Sequence, residues 1–559
     1  MGDKTRRRFL IEGGAGAVFL GAWRPGRVEA APAFNLVFSG GTVLDGTGAP
    51  AFAADVAVKG DAIAAVGEVA ATQAARAVDV RGLHVCPGFV DMHSHSDRSI
   101  LSYPGAESRA RQGITTEITG NCGSSAAPLG GVLVEEERKS WKDDGVDAEW
   151  GDVASYFARV ERERFAVNQA LLVGQGTVRE YVVGPVDRPA TPDEMKAMVR
   201  LLEQALEQGA VGLSTGLEYT PGRYTPTHEI VALARVAARR GGFYASHIRN
   251  EERQLLEAVD EAVRIGRLAG VRVQVSHVKA SGRGNWGKQV AALALLESAR
   301  RDGVEVLGDA YPYTAYSTGL TVTFPGWALD GGRSATLARL RGKERERIRL
   351  AVDDYVRNGD PGDYALIVIA NVRTEKNRPL VGKNLAEVAA AWKVDPSEAL
   401  LRIVDEEDTE VGYVGHGMSP ENVERVLAHP LVMVGSDGVS MAPVGRALLS
   451  RPHPRSYGCC SRVLGHYTRE RKVFPLETAV RKMTSMPADQ AGLSDRGRIA
   501  PGKKADLVVF DAGNVRDGAT FEEPQRYPEG IPHVLINGAF VVEDGASTAA
   551  RPGRVLRKA

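Results

Sequence analysis

Short apolar runs alternate with helix-periodic stretches through most of the chain, and eight of those runs end in residues able to do chemistry. Val85 to Met92 leads into His93-Ser94-His95, and Thr115 to Thr119 reaches Asn121-Cys122. Ala170 to Val173 runs to Gln175, and Val211 to Leu213 reaches Glu218-Tyr219. Gly242 to Ala245 ends at His247, and Val271 to Val275 at His277 with Lys279 just beyond. Val304 to Leu307 gives Asp309 and Tyr311, and Leu431 to Val434 ends at Asp437. Eight strands separated by helices predict an α/β fold, a (β/α)8 TIM-type barrel whose active site lies at the strands' C-terminal ends.

The helical stretches carry their own start signals. Pro192 to Glu207 follows Thr191, with Glu194 three residues on, the pattern of a capping box. Residues 251–268 and 287–301 show helical periodicity. The interval from Tyr311 to Leu431 is too long for one helix, so it predicts a subdomain inserted after the seventh strand, at about 325–415, with helices near 335–358 and 384–405.

Texture changes at both ends. Phe34 to Phe38, Gly40 to Gly46, Asp55 to Asp61 and Ile63 to Gly67 read as short alternating strands between Gly and Asp turns. Ala505 to Asp511 and Val534 to Gly538 repeat that texture. The expectation is one small β domain built from both chain ends, 33–83 and 496–559, around a barrel over 84–495.

Composition narrows the function. Lys+Arg and Asp+Glu are both 70, giving a formal net charge of zero. A balanced surface argues against a nucleic-acid or anionic-membrane partner, because phosphate binding draws on basic excess. No apolar run is long enough to span a bilayer. Four cysteines are too few for a disulfide scaffold. The first thirty-one residues read as an address: Thr5-Arg6-Arg7-Arg8-Phe9-Leu10 is twin-arginine-like, an apolar Gly/Ala-rich stretch follows, and Val28-Glu29-Ala30 resembles a cleavage site. Export to the periplasm or beyond is expected, and that route would carry a folded protein with its metal in place.

The strand ends suggest that metal. In His93-Ser94-His95 both imidazoles leave an extended chain on the same side and can converge on one cation. His247 and His277 close neighbouring strands and can reach the same place. Asp437, beside the first strand across the barrel's closure, can ligate metal and accept a proton from water. Cys122 supplies a thiolate able to bridge two ions. Cys86, Cys459 and Cys460 are read as packing residues.

Together these residues resemble the N-acyl-D-amino-acid deacylases (D-aminoacylases) of the amidohydrolase superfamily. The resemblance runs from about Phe34 to Asp511. Pro87 to His95 and Arg496 to Leu507 are blocks shared across the superfamily, while Asn121-Cys122-Gly123 and Thr215 to Gly222 point to the D-aminoacylase branch. Ser246 to Glu251, Ser276 to Lys279, Ser436 to Gly438 and Pro452 to Arg455 complete it. Two features depart from the family pattern. Met441 to Ser450 is additional, and Gln175 stands where the family often has histidine.

The resemblance implies a tight zinc on Cys122, His247 and His277, and a weaker one on His93, His95 and Asp437. It implies a small-molecule substrate bound by Lys279, Tyr311, Ser317 and Arg455, with Arg455 taking the α-carboxylate. Asp437 would move the proton from water to the leaving amine, and Tyr219 would donate to the oxyanion. The implied reaction is hydrolysis of N-acyl-D-amino acids, with dipeptides ending in a D residue as further substrates. A cyclic-amide hydrolase is the alternative, although such enzymes usually place a bridging lysine on strand four, and here that strand has none. A non-catalytic metal-binding barrel is the remaining reading.

Overall fold

The computed structural model describes residues 32–558. The export signal expected over 1–31 lies outside the described residues.

Eight parallel strands form the central sheet: β1 (Phe89–Asp91), β2 (Ile114–Thr119), β3 (Asn168–Gly174), β4 (Gly212–Gly216), β5 (Phe243–His247), β6 (Arg272–Val275), β7 (Val306–Ala310) and β8 (Val432–Val434). They pair in sequence order, β1 with β2 and so on to β8, as a (β/α)8 barrel requires. The barrel closes through an isolated parallel bridge between Ser94 and Gly438, just beyond β1 and β8. Apolar side chains such as Met92, Ile118, Leu172, Phe243, Ala245 and Met433 pack the lower interior, which leaves the strand ends free for polar groups.

Helices follow the strands. Pro192–Glu207 starts with the expected capping box between Thr191 and Glu194, and Leu255–Ala269 and Gln289–Arg301 lie close to their expected places. Each buries one side against the barrel and leaves charge outside, as its periodicity requires.

The small β domain draws strands from both ends. His84–Pro87 lies between Phe34–Val43 and Leu507–Phe510, with His533–Ile536 and Ala539–Glu543 beyond. The run Val85 to Met92, expected to be one strand, is therefore two. Its first half pairs in this sheet and its second enters the barrel. The break falls at Pro87-Gly88: proline has no N–H to donate, the Gly88 N–H turns to Asp506 O at 2.7 Å, and a Cβ on Gly88 would stand 2.2 Å from Thr115 Oγ1. Near the other terminus, Gln169 bridges Val555 while Arg554 pairs with Asp61 and Asn537 Nδ2 donates to Pro552 O at 2.8 Å, so the final residues join the barrel to the β domain.

Between β7 and β8 the chain builds a three-stranded antiparallel sheet, with Tyr316–Gly319 at one edge, Gly412–Gly415 in the centre and Ile367–Asn371 beyond. Helices Gly332–Arg341, Arg345–Asn358, Leu385–Trp392 and Pro396–Glu406 surround it. The stretch near 335–358 is two helices, because Gly342 leaves helical geometry with φ −104° and ψ −161°. Among the described residues no helix is long and apolar enough to cross a membrane.

Candidate metal centre

Two donor groups meet at the top of the barrel. His93, His95, Cys122 and Asp437 form one, and Cys122, His247 and His277 the other, with donor atoms in each group within 4.8 Å of one another. Cys122 belongs to both. Its Sγ lies 3.2 Å from His93 Nε2 and 3.5 Å from His277 Nε2, while His95 Nε2 lies 3.0 Å from Asp437 Oδ1.

The backbone aims these groups. His93 leaves β1 with its N–H on Asp91 Oδ1 at 3.2 Å, and the Asp437 N–H donates to His93 O at 2.8 Å. Beneath them Arg109 is buried. Its Nε donates to Glu117 at 2.8 Å, and its Nη2 pairs with Asp91 and donates to Ser436 Oγ at 2.6 Å. One guanidinium thus ties β1, β2 and the end of β8 together. Cys122, His277 and Asp437 have positive φ of 52°, 33° and 52°, a region that non-glycine residues seldom occupy. Gly123, at φ +75°, continues the turn where a Cβ would meet Gly216 N at 2.5 Å.

Carboxylates that the sequence reading left without a role fix the imidazoles. Asp309 Oδ1 lies 3.2 Å from His93 Nδ1 and accepts the His277 N–H at 2.9 Å. His277 Nδ1 has two neighbours, Lys279 Nζ at 3.0 Å and Glu251 Oε1 at 2.8 Å, and the other Glu251 oxygen is 2.5 Å from that same Nζ. Holding both Nδ1 atoms leaves the Nε2 atoms facing Cys122, the usual arrangement behind metal-binding histidine. Glu218 sits 3.3 Å from His247 Nε2. Asp309 was visible as a strand-end acid and Glu251 as the fourth residue after His247, but nothing in either spacing says which ring it faces.

Charge follows from this crowding. Burial would push the Cys122 thiol up, but His93, His247 and His277 outweigh it and hold the group well below the usual thiol range. Burial acts the same way on Asp437, where Arg455, His93 and His95 prevail and keep it an anion. The same contacts raise His93, His95 and His247, so a divalent cation bound here would take the place of their protons, and one thiolate, one carboxylate and four histidines are a donor set suited to a borderline-soft divalent ion. His247 Nδ1 is buried without a hydrogen-bond partner, which leaves its lone pair or proton for a further group.

A cavity of about 300 Å³ opens above the cluster, lined by His95, Cys122, Tyr219, Ser317, Asp437 and Arg455 among others. Arg455 Nη1 lies 2.7 Å from Asp437 Oδ2, and its Nη2 donates to Ser317 O at 3.2 Å. Tyr219 lies against the His247 ring, centroids 4.7 Å apart, and its hydroxyl accepts from Thr318 Oγ1 at 3.2 Å. Lys279 and Tyr311 line a smaller space behind, with the Lys279 ammonium committed to Glu251 and the Arg455 guanidinium 4.8 Å above the Tyr311 ring. Gln175 turns away: its Nε2 donates to Thr225 Oγ1 at 2.9 Å. Cys86, Cys459 and Cys460 are buried in the core, and none of the four cysteines is in a disulfide.

The amidohydrolase family model matches residues 76–542. The N-acyl-D-glutamate deacylase of Alcaligenes xylosoxydans xylosoxydans is 38% identical over 94% of this chain and 96% of its own. The D-aminoacylase of the same organism is 37% identical over 94% and 98%. The structure of N-acyl-D-glutamate deacylase from Bordetella bronchiseptica, complexed with zinc and a phosphonate mimic of the tetrahedral intermediate, superposes with a TM-score of 0.80 at 37% identity, covering 94% of this chain and all of that one. A D-aminoacylase structure, described as having a binuclear metal centre with one-metal activation and second-metal attenuation, gives 0.79 at 38% identity, with coverage of 94% and 100%. A barrel of this topology, a cysteine shared by two donor groups and similarity along nearly the whole chain agree: the protein belongs to the N-acyl-D-amino-acid deacylase branch of the amidohydrolase family.

Proposed function

We propose that the chain is a zinc-dependent deacylase that hydrolyses the amide bond of N-acyl-D-amino acids, releasing a carboxylate and a D-amino acid. The observation that carries this reading is Cys122, one thiolate common to two donor groups at the mouth of the barrel. We assign the tighter zinc to Cys122, His247 and His277, and the weaker position to His93, His95 and Asp437. The Bordetella relative's zinc and the binuclear centre of the D-aminoacylase support zinc and room for two ions, and the sharing of Cys122 between the two donor groups supports the division. Zinc there would supply Lewis-acid activation of the acyl carbonyl and of the attacking water.

The chain's own residues do the rest. Asp437, kept ionised by its neighbours, accepts the proton of the attacking water and returns it to the leaving nitrogen. The Tyr219 hydroxyl, in the cavity wall, donates to the oxyanion as the carbonyl carbon becomes tetrahedral. Arg455 has five N–H donors, enough to hold Asp437 on one edge and the substrate α-carboxylate on another, with Ser317 and Tyr311 beside it. Lys279 acts on the His277 ring, directly at Nδ1 and through Glu251. We also propose that the twin-arginine-like segment exports the folded, metal-loaded enzyme.

Three contacts then fix handedness: the carbonyl at the metal centre, the carboxylate on Arg455 and the side chain in its own space. Inverting Cα while keeping two of them misplaces the third. A loss of about 3 kcal/mol, two tenfold steps, is the expected scale. Measured kcat/KM on matched N-acetyl enantiomers should therefore favour D by about 100-fold. Equal rates on both would overturn the D-amino-acid assignment.

A further inference from the structure

Behind the cavity at the metal centre lies a second, much smaller space. It holds about 30 Å³ and shares Tyr219, His277, Ser317, Thr318 and Asp437 with that cavity. A water-sized group needs ~10–15 Å³ of such space, so about two fit. The inserted subdomain closes the far side. Tyr316 and Tyr413, with ring centroids 5.8 Å apart, and Tyr355 come from it, as does Asp360. Glu252 comes from the loop after β5.

The charges around this space do not balance. Lys279 is paired with Glu251, Glu218 lies against His247, and Arg455 holds Asp437. Glu252 and Asp360 remain, only 4% and 2% exposed. Each accepts from neutral groups. Glu252 Oε1 takes the Tyr355 hydroxyl at 3.1 Å and its Oε2 the Asn250 amide at 2.5 Å, while Asp360 Oδ1 takes the Ser281 hydroxyl at 2.8 Å. Neither carboxylate has a cationic partner among the described residues. The Lys288 ammonium is spent on Glu252 O, Arg253 O and Asn285 Oδ1.

A buried carboxylate pair of this kind lacks a positive charge. Burial pushes both carboxyls up, Asp360 to about 6, and for Glu252 the neighbouring Glu218 and Asp360 add to it. A cation placed between them would draw both back to the ionised form. Tyrosine walls suit the same occupant, because aromatic faces attract cations. An anion would meet two carboxylates where every nearby cation is already committed.

The substrate can supply that charge. Tyr311 and Ser317, set beside the α-carboxylate on Arg455, both line the small space, so a group carried on Cα reaches it. The outer side of the cavity opens instead into a vestibule of about 860 Å³, ample for the acyl group.

We propose that the small space receives the end of the D residue's side chain and selects an ammonium there, with Glu252 and Asp360 setting the preference. The inference rests on the deacylase reading and names the amino acids it serves, D-lysine and D-ornithine. Their methylenes stay in the 300 Å³ cavity and the ammonium enters beyond it. The guanidinium of D-arginine is too large for a space of two water-sized groups, and the acidic D residues are repelled. Side-chain charge would then separate this chain from the N-acyl-D-glutamate deacylase to which it is 38% identical.

The test measures kcat/KM of the zinc-loaded enzyme on Nα-acetyl-D-lysine and on N-acetyl-D-2-aminoheptanoate, in which a methyl replaces the ammonium. The lysine compound should lead by ~10-fold or more, the scale of one charge-assisted hydrogen bond. Acetylating its ε-nitrogen should remove that lead, a comparison that needs no variant. Asp360→Asn and Glu252→Gln should each lower the ratio several-fold, with far-UV circular dichroism confirming folded proteins. A ratio of one or less in the wild type overturns this inference and leaves the deacylase reading intact. So does a lead that survives both substitutions, an equal rate on Nα-acetyl-D-arginine, or a preference for N-acetyl-D-glutamate. No turnover of any N-acetyl-D-amino acid removes the deacylase reading together with it.

Discussion

Asp309→Ala tests whether the imidazoles are held from behind. Asp309 is fully buried and receives three donors: His93 Nδ1 at 3.2 Å, the His277 N–H at 2.9 Å and Gln274 Nε2 at 2.5 Å. Alanine removes both carboxylate oxygens at once, so all three donors lose their acceptor. Losing a buried partner behind a metal-binding histidine typically weakens metal affinity about 10- to 100-fold, which is about 1.4 to 2.7 kcal/mol. The loss should fall mainly on the site containing His93. Zinc dissociation constants measured by competition with a chromophoric chelator would separate the two sites, with far-UV circular dichroism confirming a folded variant. Two constants within twofold of wild type in a folded protein would refute the argument that Asp309 sets the ring orientation.

Cys122→Ala removes the one thiolate common to both donor groups, so elemental analysis should find the tight zinc lost, and turnover with it. Asp437→Asn should keep the tight zinc while kcat falls by ~100-fold or more, on the usual scale of a lost general base; a surviving rate with an unchanged pH profile names another base. Glu180→Gln should stabilise the fold at pH 8 and not at pH 4. A carboxyl raised from 4.5 to about 7 leaves stability intact below pH 4.5 and withdraws it between 4.5 and 7, by about 3 kcal/mol at full ionisation, so melting temperatures at the two pH values read the sign directly. Lysine at both Arg6 and Arg7 should leave the protein in the cytoplasm, with unchanged recovery from the cell envelope as the contrary result.

What the sequence made legible follows from where each signal is local. His93 and His95 are two residues apart on an extended segment, so their common direction needs no knowledge of the rest of the fold. Strand-end positions of His247, His277 and Asp437 became meaningful once eight runs were counted in order. Contacts spanning the barrel were not legible. Asp309 meets His93 from 216 residues away, and Arg455 reaches Asp437 only because of the course of residues 438–454. The inserted sheet was missed for another reason. Its strands, Tyr316–Gly319, Ile367–Asn371 and Gly412–Gly415, are four or five residues long. Two of them carry glycine at an end, so no period-two pattern develops over enough positions to stand out. The break at Pro87-Gly88 was written in the residues, yet apolar character continues across it and masks the change of sheet.

The ligand positions also say when the site acquires its shape. Cys122, His277 and Asp437 each hold a left-handed backbone, at ~1–3 kcal/mol apiece. Such strain persists only where surroundings over-determine it. Here the Asp437 N–H is held by His93 O, the Gly123 N–H by Ser214 Oγ and the His277 N–H by Asp309. None of these contacts involves a metal ion. Arg109, Asp91 and Glu117 then lock the strands from which His93 and Cys122 depart. The chain therefore spends folding energy to fix the donors in advance, and binding need not reorganise them.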